Sequence, residues 1–349
     1  MIPMCSASMM RSVLLLIPLL CSVDIISAAQ SNEAKETSQR LFDFHSGVWI
    51  NLHHFLYLEA LSRGPQKSSH PAVVTDEDAV LLGSLSAQER ATWNEAVDYY
   101  ANSVIARDLL FDRDMGIIKN EIEDTEDSAD LPQLDIPADL RGTLRKAAPI
   151  YRKHFWKNHD QENRRWIAQL QPLIEKYGEK LKNSLVAIYE EPWPDSPVRV
   201  DVTIYAGQFG AYTTNGPTRP TICSRDPANQ GAAALEVVFH ETSHGMIDRV
   251  ADAISAAEAD VNARNPKETF HSGKLWHAVL FYTAGEVVAQ QVPGYVAYAD
   301  KNGLWTRAWP GPVRSLIEQD WKPHFNGSVT LSAAIGKLIS DLAAAQAHP

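Results

Sequence analysis

A proline-rich break divides this sequence into two parts with different hydrophobic patterns. Residues 191–197 read Glu-Pro-Trp-Pro-Asp-Ser-Pro, and proline neither continues a helix nor donates to a strand ladder. Before the break, residues 38–191 carry apolar side chains at helical spacing, and Ser86 with Glu89 has the pattern of a capping box. After the break, apolar residues alternate with polar ones over 198–204, which predicts a strand.

Downstream of that strand, turn residues and short apolar runs predict a small antiparallel sheet up to residue 224. The next helix is expected to begin between Asp226 and Gly231. The predicted helices of this part cover 231–246 and beyond, 274–292, 313–321 and 331–346. We therefore predict a mainly α protein with a small antiparallel β-sheet, of the α+β class, with a helical region at 30–191 and a second region at 192–349.

The first 29 residues have the pattern of an export signal. Arg11 supplies a positive charge, residues 13–23 a short apolar stretch, and Ser27-Ala28-Ala29 a cleavage site of small residues. A membrane span needs about twenty apolar residues, whereas Pro18 and Asp24 interrupt this stretch. We expect cleavage near Ala29, export to a periplasm or to the exterior, and no membrane span in the mature chain.

Charge and cysteine content disfavour a nucleic-acid-binding protein and a protein stabilised by disulfides. The 32 Lys and Arg residues against 43 Asp and Glu residues give a net charge of -11, which disfavours a protein that binds nucleic acid by neutralising phosphates. Cys5 and Cys21 would leave with the signal, so Cys223 has no partner for an intramolecular disulfide. We expect Cys223 to be a small buried side chain. The oligomeric state stays open.

The motif that most directly indicates a chemical function is H-E-x-x-H, formed by His240, Glu241 and His244. Residues four apart lie on one face of a helix, so both imidazoles can hold one metal ion. Zinc suits this donor set, and it lowers the pKa of a bound water to about 7, so that the glutamate can take its proton. The preceding Val-Val-Phe at 237–239 indicates a buried helix rather than a surface one.

This segment resembles the gluzincin group of zinc metallopeptidases, over roughly residues 198–292. In that group a glutamate on a second, downstream helix is the third metal ligand, and the resemblance implies Glu286 in this role. No other charged residue lies between 279 and 288, so an unpaired carboxylate there would be costly. Gly285 beside it would allow two helices to approach closely.

Two histidines compete with Glu286 for the third position. His277 lies nine residues before Glu286, which is half a turn out of phase and about 13 Å along a helix axis. His277 and Glu286 therefore cannot both bind one ion from the same straight helix. His271 could reach the ion from a loop near the helix start.

Other residues are candidates for the groups that would support catalysis. Members of the group often carry an aspartate four residues after the glutamate ligand; here Gln290 occupies that place, with Asp248 as a possible substitute. A peptidase also needs a donor that stabilises the oxyanion, and we select Tyr298. The other candidate donors are Tyr295, Arg314 and His324.

Two further patterns have structural explanations that are at least as good as functional ones. The segment 209–224 could supply an edge strand that pairs with a substrate backbone, lined by Gly210, Tyr212 and Thr214. Near the N-terminus, three histidines lie close together and could form a second metal site, although helix packing is the default. These histidines are His45, His53 and His54.

Together these patterns predict an exported zinc metallopeptidase that acts on a peptide or protein substrate. His240, His244 and Glu286 would bind Zn²⁺, Glu241 would activate water, and Tyr298 would stabilise the oxyanion. Two alternatives stay open. The same chemistry could serve another amide or an ester, or the chain could be an exported helical binding protein with a structural or degenerate metal site.

Overall fold

The computed structural model describes residues 40–64, 74–194, 197–264, 266 and 269–347. The predicted export signal lies outside these residues. From Leu41 onward the chain forms one compact unit, which includes residues on both sides of the predicted boundary at 191/192. No helix among the described residues is long and apolar enough to cross a membrane.

Helices dominate the described chain up to the proline-rich break. They are α1 (Val48–Arg63), α2 (Asp76–Ser84), α3 (Ala87–Ser103), α4 (Arg113–Glu123), α5 (Ala138–His154) and α6 (Trp156–Tyr189). The predicted capping box is confirmed at the start of α3, where the Glu89 amide donates to Ser86 Oγ and the Ser86 amide donates to Glu89 Oε2. Glu190 ends α6 in a left-handed conformation, directly before the break.

One four-stranded sheet accompanies the helices. Its strands are β1 (Phe42–His45), β2 (Val198–Thr203), β3 (Ala211–Thr214) and β4 (Arg219–Cys223), in the order β1-β2-β4-β3. β1 and β4 both run parallel to β2, and only β3 pairs antiparallel with β4. The prediction of an antiparallel sheet is therefore wrong, since the sheet is mixed. A mainly helical α+β architecture is confirmed.

The first strand corrects a second expectation. Residues 41–45 were predicted to belong to a helical stripe, whereas Phe42–His45 form β1. The reason is long-range pairing, because Phe42 stands opposite Val198 in the register of the sheet. Helix α1 begins only at Val48, after Gly47.

Helices follow the sheet to the end of the described chain. A short 3₁₀ turn at Pro227–Asn229 precedes α7 (Ala232–Ser243), and a second 3₁₀ turn at His244–Met246 precedes α8 (Asp248–Arg264). Helix α9 (Leu275–Gln291) confirms the helix predicted at 274–292. The remaining elements are α10 (Tyr298–Lys301), α11 (Leu304–Arg307), α12 (Val313–Leu316), a π-helical turn (Ile317–Trp321), α13 (Lys322–Phe325) and α14 (Leu331–Ala347).

Two hydrophobic clusters fill the interior. One joins α6, the sheet, α7, α9 and α14, and the other joins α1 with α3, α4 and α5. Helix α7 lies inside the first cluster, where its residues from Ala233 to Ser243 are all buried. A helix that is buried along almost its whole length is held in place by its neighbours. The H-E-x-x-H pattern therefore lies on a fixed element of the core.

Candidate metal centre

The first two residues of the candidate site lie at the end of α7. His240 is the ninth residue of this helix, and His244 follows its last residue with helical dihedrals of φ -58° and ψ -26°. The spacing of four residues therefore keeps its helical geometry, and the two imidazole centroids lie 5.2 Å apart. His240 is buried, whereas 18% of the His244 side chain is exposed. The pair thus stands where the core opens to the surface.

A third imidazole comes from the first turn of α9. His277 Nε2 lies 3.4 Å from His240 Nε2, and one ligand nitrogen from each of His240, His244 and His277 lies within 4.8 Å of the others. Two nitrogens bound tetrahedrally to one zinc ion at about 2.0–2.1 Å would lie about 3.3 Å apart. The His240–His277 distance is close to this value, and the three imidazoles together could hold one metal ion.

Burial keeps these imidazoles neutral. It lowers the pKa of His244 to about 4 and that of His277 to about 3, and it lowers the pKa of His240 well below the ordinary value. Neutral imidazole is the form whose nitrogen lone pair can bind a metal. The site therefore offers three uncharged donors at neutral pH, without an energetic cost for deprotonation.

Aromatic rings surround the three histidines. The Phe281 ring centroid lies 3.9 Å from that of His240, and the Trp276 ring stacks on His277 at 4.9 Å. The Trp309 ring approaches His277 edge-on at 5.8 Å. An apolar shell of this kind lowers the local dielectric and strengthens interactions between a metal and its ligands.

Glu241 lies next to the histidines and is held by the sheet. Thr213 Oγ1 lies 2.7 Å from Glu241 Oε2 and 3.0 Å from the Glu241 carbonyl oxygen. Glu241 Oε2 is 3.9 Å from His244 Nε2, and the residue is 6% exposed. Burial raises the pKa of Glu241 to about 7, opposed by the hydrogen bond from Thr213 and by the charge of Lys119. A carboxylate thus stands beside the imidazole of His244 and is held by one hydroxyl.

Strand β3 lies between this carboxylate and a second buried polar group. Thr213 faces Glu241, while its neighbour Thr214 accepts a hydrogen bond from Lys119 Nζ at 2.9 Å. Lys119 is buried and forms an ion pair with Glu123 at 3.3 Å. Because successive side chains of a strand point to opposite faces, the strand separates these two networks. β3 is also an edge strand, as the predicted substrate-binding strand would have to be.

The structure does not bring Glu286 into this cluster. Its Oε1 lies 3.1 Å from Lys322 Nζ and 3.4 Å from Gln290 Nε2. The stretch 279–288 does lack other charges. The partner of Glu286 is Lys322 on α13, which is distant in the sequence, so the residues around Glu286 do not reveal this pair. His277 takes the position instead, and the two residues exclude each other on one straight helix. The geometry therefore favours His277 over Glu286 as the third donor.

The other candidates for ligand or second-shell roles lie elsewhere. His271 is 75% exposed and 4.0 Å from Glu258. Gln290 contacts Glu286 rather than a histidine. Asp248 begins α8 on the exposed surface.

Among the candidate oxyanion donors, Tyr298 is the one near the site. Its ring stacks on Phe281 at 6.2 Å, and Phe281 in turn packs on His240. Burial raises the pKa of Tyr298 to about 12, so its hydroxyl stays a proton donor. Three other candidates are engaged elsewhere. Tyr295 donates to Glu236, Arg314 pairs with Asp300 and Glu318, and His324 contacts the carbonyls of Ile188 and Val329.

The N-terminal histidines pack individually rather than around a common point. His53 Nδ1 lies 2.8 Å from the Tyr100 hydroxyl, and His54 Nε2 lies 2.9 Å from the Tyr212 hydroxyl. His45 pairs with carboxylates instead. Among the described residues, the only metal-compatible group of three is the one on α7 and α9. Cys223 is buried, as expected.

No protein-family model matches the sequence, and no curated protein or solved structure matches it significantly either.

Proposed function

We propose that this protein is a zinc-dependent hydrolase that cleaves peptide bonds. The observation that carries the proposal is the convergence of three neutral imidazoles, from His240, His244 and His277, beside the carboxylate of Glu241. Three protein ligands leave a fourth tetrahedral position open, which is typical of catalytic rather than structural zinc sites. A carboxylate next to that position is the further group that hydrolysis requires.

Each residue of the site would have a separate role in hydrolysis. Bound zinc would act as a Lewis acid and lower the pKa of a water molecule. Glu241 would accept the proton of that water and later pass it to the leaving amine, and Thr213 would keep its carboxylate oriented. The Tyr298 hydroxyl would donate a hydrogen bond to the developing oxyanion.

A peptide substrate is favoured by the position of β3. This strand lies at the edge of the sheet and carries Thr213, which holds Glu241. An extended peptide can pair with an edge strand through main-chain hydrogen bonds. Pairing there would bring the substrate backbone next to the proposed catalytic carboxylate. This is the support for a peptide rather than another amide or an ester.

The experiment combines metal analysis with an activity screen. Purified protein would be loaded with zinc, freed of excess metal, and analysed for zinc content by mass spectrometry. Wild type and Glu241→Gln would then be screened against a peptide library and against simple esters. We expect about one zinc per chain in both proteins, and peptide cleavage by the wild type only. Absence of zinc from reconstituted wild type would refute the proposal.

The other outcomes separate the alternatives. Zinc binding with ester cleavage and no peptide cleavage would replace the proposed substrate class. Zinc binding with no hydrolysis of any substrate, and equal behaviour of Glu241→Gln, would favour a binding protein with a structural metal site.

A further inference from the structure

Glu236 is a buried carboxylate one helical turn before the first metal-ligand candidate. It is 1% exposed. Its Oε2 accepts hydrogen bonds from the Tyr295 hydroxyl at 2.7 Å and from the Tyr298 amide at 2.9 Å. These contacts attach the segment after α9 to the helix that carries His240. An acidic side chain is seldom buried so completely unless it has a specific partner for its charge.

Two atoms at this place are buried without a hydrogen-bond partner. They are Glu236 Oε1 and His240 Nδ1. Their residues are four apart on α7, so the two side chains lie on the same face of the helix. His240 Nε2 already faces His277, which leaves Nδ1 as the nitrogen directed away from the three-histidine cluster.

The surroundings of Glu236 leave little room for another partner. A Cβ at Gly285 would lie 3.2 Å from Glu236 Oε1 and 2.6 Å from the Ala297 Cβ. The carboxylate is thus enclosed between α7, α9 and the segment that leads to Tyr298.

We propose that Glu236 is a positioning residue for the metal centre: its Oε1 accepts a hydrogen bond from His240 Nδ1–H when a metal ion occupies Nε2, while its Oε2 holds the Tyr295–Tyr298 segment. A metal-bound histidine usually donates its second N–H to a carboxylate or a carbonyl, which fixes the tautomer and the ring orientation. The inference rests on the metal site of the proposed function, but not on hydrolysis.

The Glu236→Gln variant separates the two roles of this carboxylate. The Tyr298 amide requires an oxygen as its acceptor, so the new side chain must turn its oxygen toward Tyr298 and its NH₂ group toward His240. The NH₂ group cannot accept a hydrogen bond from Nδ1–H. The hydrogen bonds from the Tyr295 hydroxyl and the Tyr298 amide are therefore retained, whereas the hydrogen bond from His240 Nδ1–H is lost.

The measurements are zinc affinity, by competition with a chelator, and amide hydrogen exchange of residues 295–299. We expect Glu236→Gln to bind zinc about 10- to 100-fold more weakly, with wild-type exchange in the segment. Glu286→Gln, the same change on the neighbouring helix α9, should leave zinc affinity unchanged. Wild-type zinc affinity in Glu236→Gln would show that Glu236 has only a structural role and would overturn the inference.

A second measurement needs no variant and covers the case in which Glu236→Gln does not fold. In zinc-loaded wild type labelled with ¹⁵N-histidine, NMR should show a slowly exchanging Nδ1–H proton on His240. Fast exchange of that proton would overturn the inference while leaving the proposed function intact. A wild type that binds no zinc would instead overturn the proposed function, and the inference with it.

Discussion

His277 Nε2 lies 3.4 Å from His240 Nε2, although 37 residues separate them along the chain. One residue belongs to the second half of α7 and the other to the first turn of α9. The distance is close to that expected for two nitrogens bound to one zinc ion. It favours the first turn of α9, rather than the region of Glu286 near its end, as the source of the third donor.

The first prediction concerns the identity of that donor. His277→Ala should weaken zinc binding by at least about 100-fold, because it removes one of three protein ligands. Glu286→Ala should leave zinc affinity within about twofold of wild type, because it removes only a partly exposed ion pair with Lys322, and such pairs contribute little. Isothermal titration or chelator competition would measure both. The reverse ranking would restore Glu286 as the ligand.

The second prediction concerns the hydroxyl that holds the proposed base. Thr213→Val keeps the shape of the side chain but removes the hydrogen bond to Glu241. We expect kcat for peptide cleavage to fall about tenfold, which corresponds to the loss of about 1.4 kcal/mol of hydrogen bonding. Zinc affinity should be unchanged, since Thr213 contacts no histidine of the cluster. Thr306→Val, whose hydroxyl bonds only to the Gly303 carbonyl, is the matched control. An unaltered kcat in Thr213→Val would argue against Glu241 as the base.

The third prediction concerns the close approach of α9 to its neighbours. In Gly285→Ala the new methyl group would lie 2.6 Å from the Ala297 Cβ, so the backbone must move. We expect the free energy of unfolding to fall by about 1–3 kcal/mol, measured by urea denaturation. Gly336→Ala on α14 meets nothing within 4 Å and should raise stability by about 0.5–1 kcal/mol. Equal effects of the two substitutions would contradict the packing described here.

The fourth prediction concerns pH. Burial lowers the pKa of His53 from 6.5 to about 4. Between these values the unfolded chain binds a proton that the folded chain does not, so His53 makes stability fall as the pH falls from about 6.5 to 4. The slope for one proton is about 1.4 kcal/mol per pH unit.

The variant His53→Asn tests this, because its side-chain oxygen can replace Nδ1 as the partner of the Tyr100 hydroxyl. Denaturation curves of metal-free protein at several pH values should show a shallower slope for His53→Asn than for wild type. His271→Asn, a change at a highly exposed histidine, should keep the wild-type slope. Parallel curves for His53→Asn and wild type would disprove the assignment.

The local elements follow from local sequence. Ser86 and Glu89 mark the start of α3 because capping involves residues three apart, and the apolar run before His240 indicates a buried helix for the same kind of short-range reason. Helical spacing alone also places His240 and His244 on one face. The mainly helical α+β class is therefore readable from the sequence.

Tertiary structure decided what depends on distant partners. Phe42 joins a sheet because Val198 stands beside it, and Glu286 turns away from the histidines because Lys322 on another helix pairs with it. His277 reaches the site because α9 packs against α7 with its first turn at the end of that helix. Periodicity gives the face of each helix, but not the direction and depth at which two helices pack. Those are set by side-chain fit across the whole core. The sequence therefore left Glu286, His277 and His271 as alternatives for the third donor, and the packing of the helices favours His277.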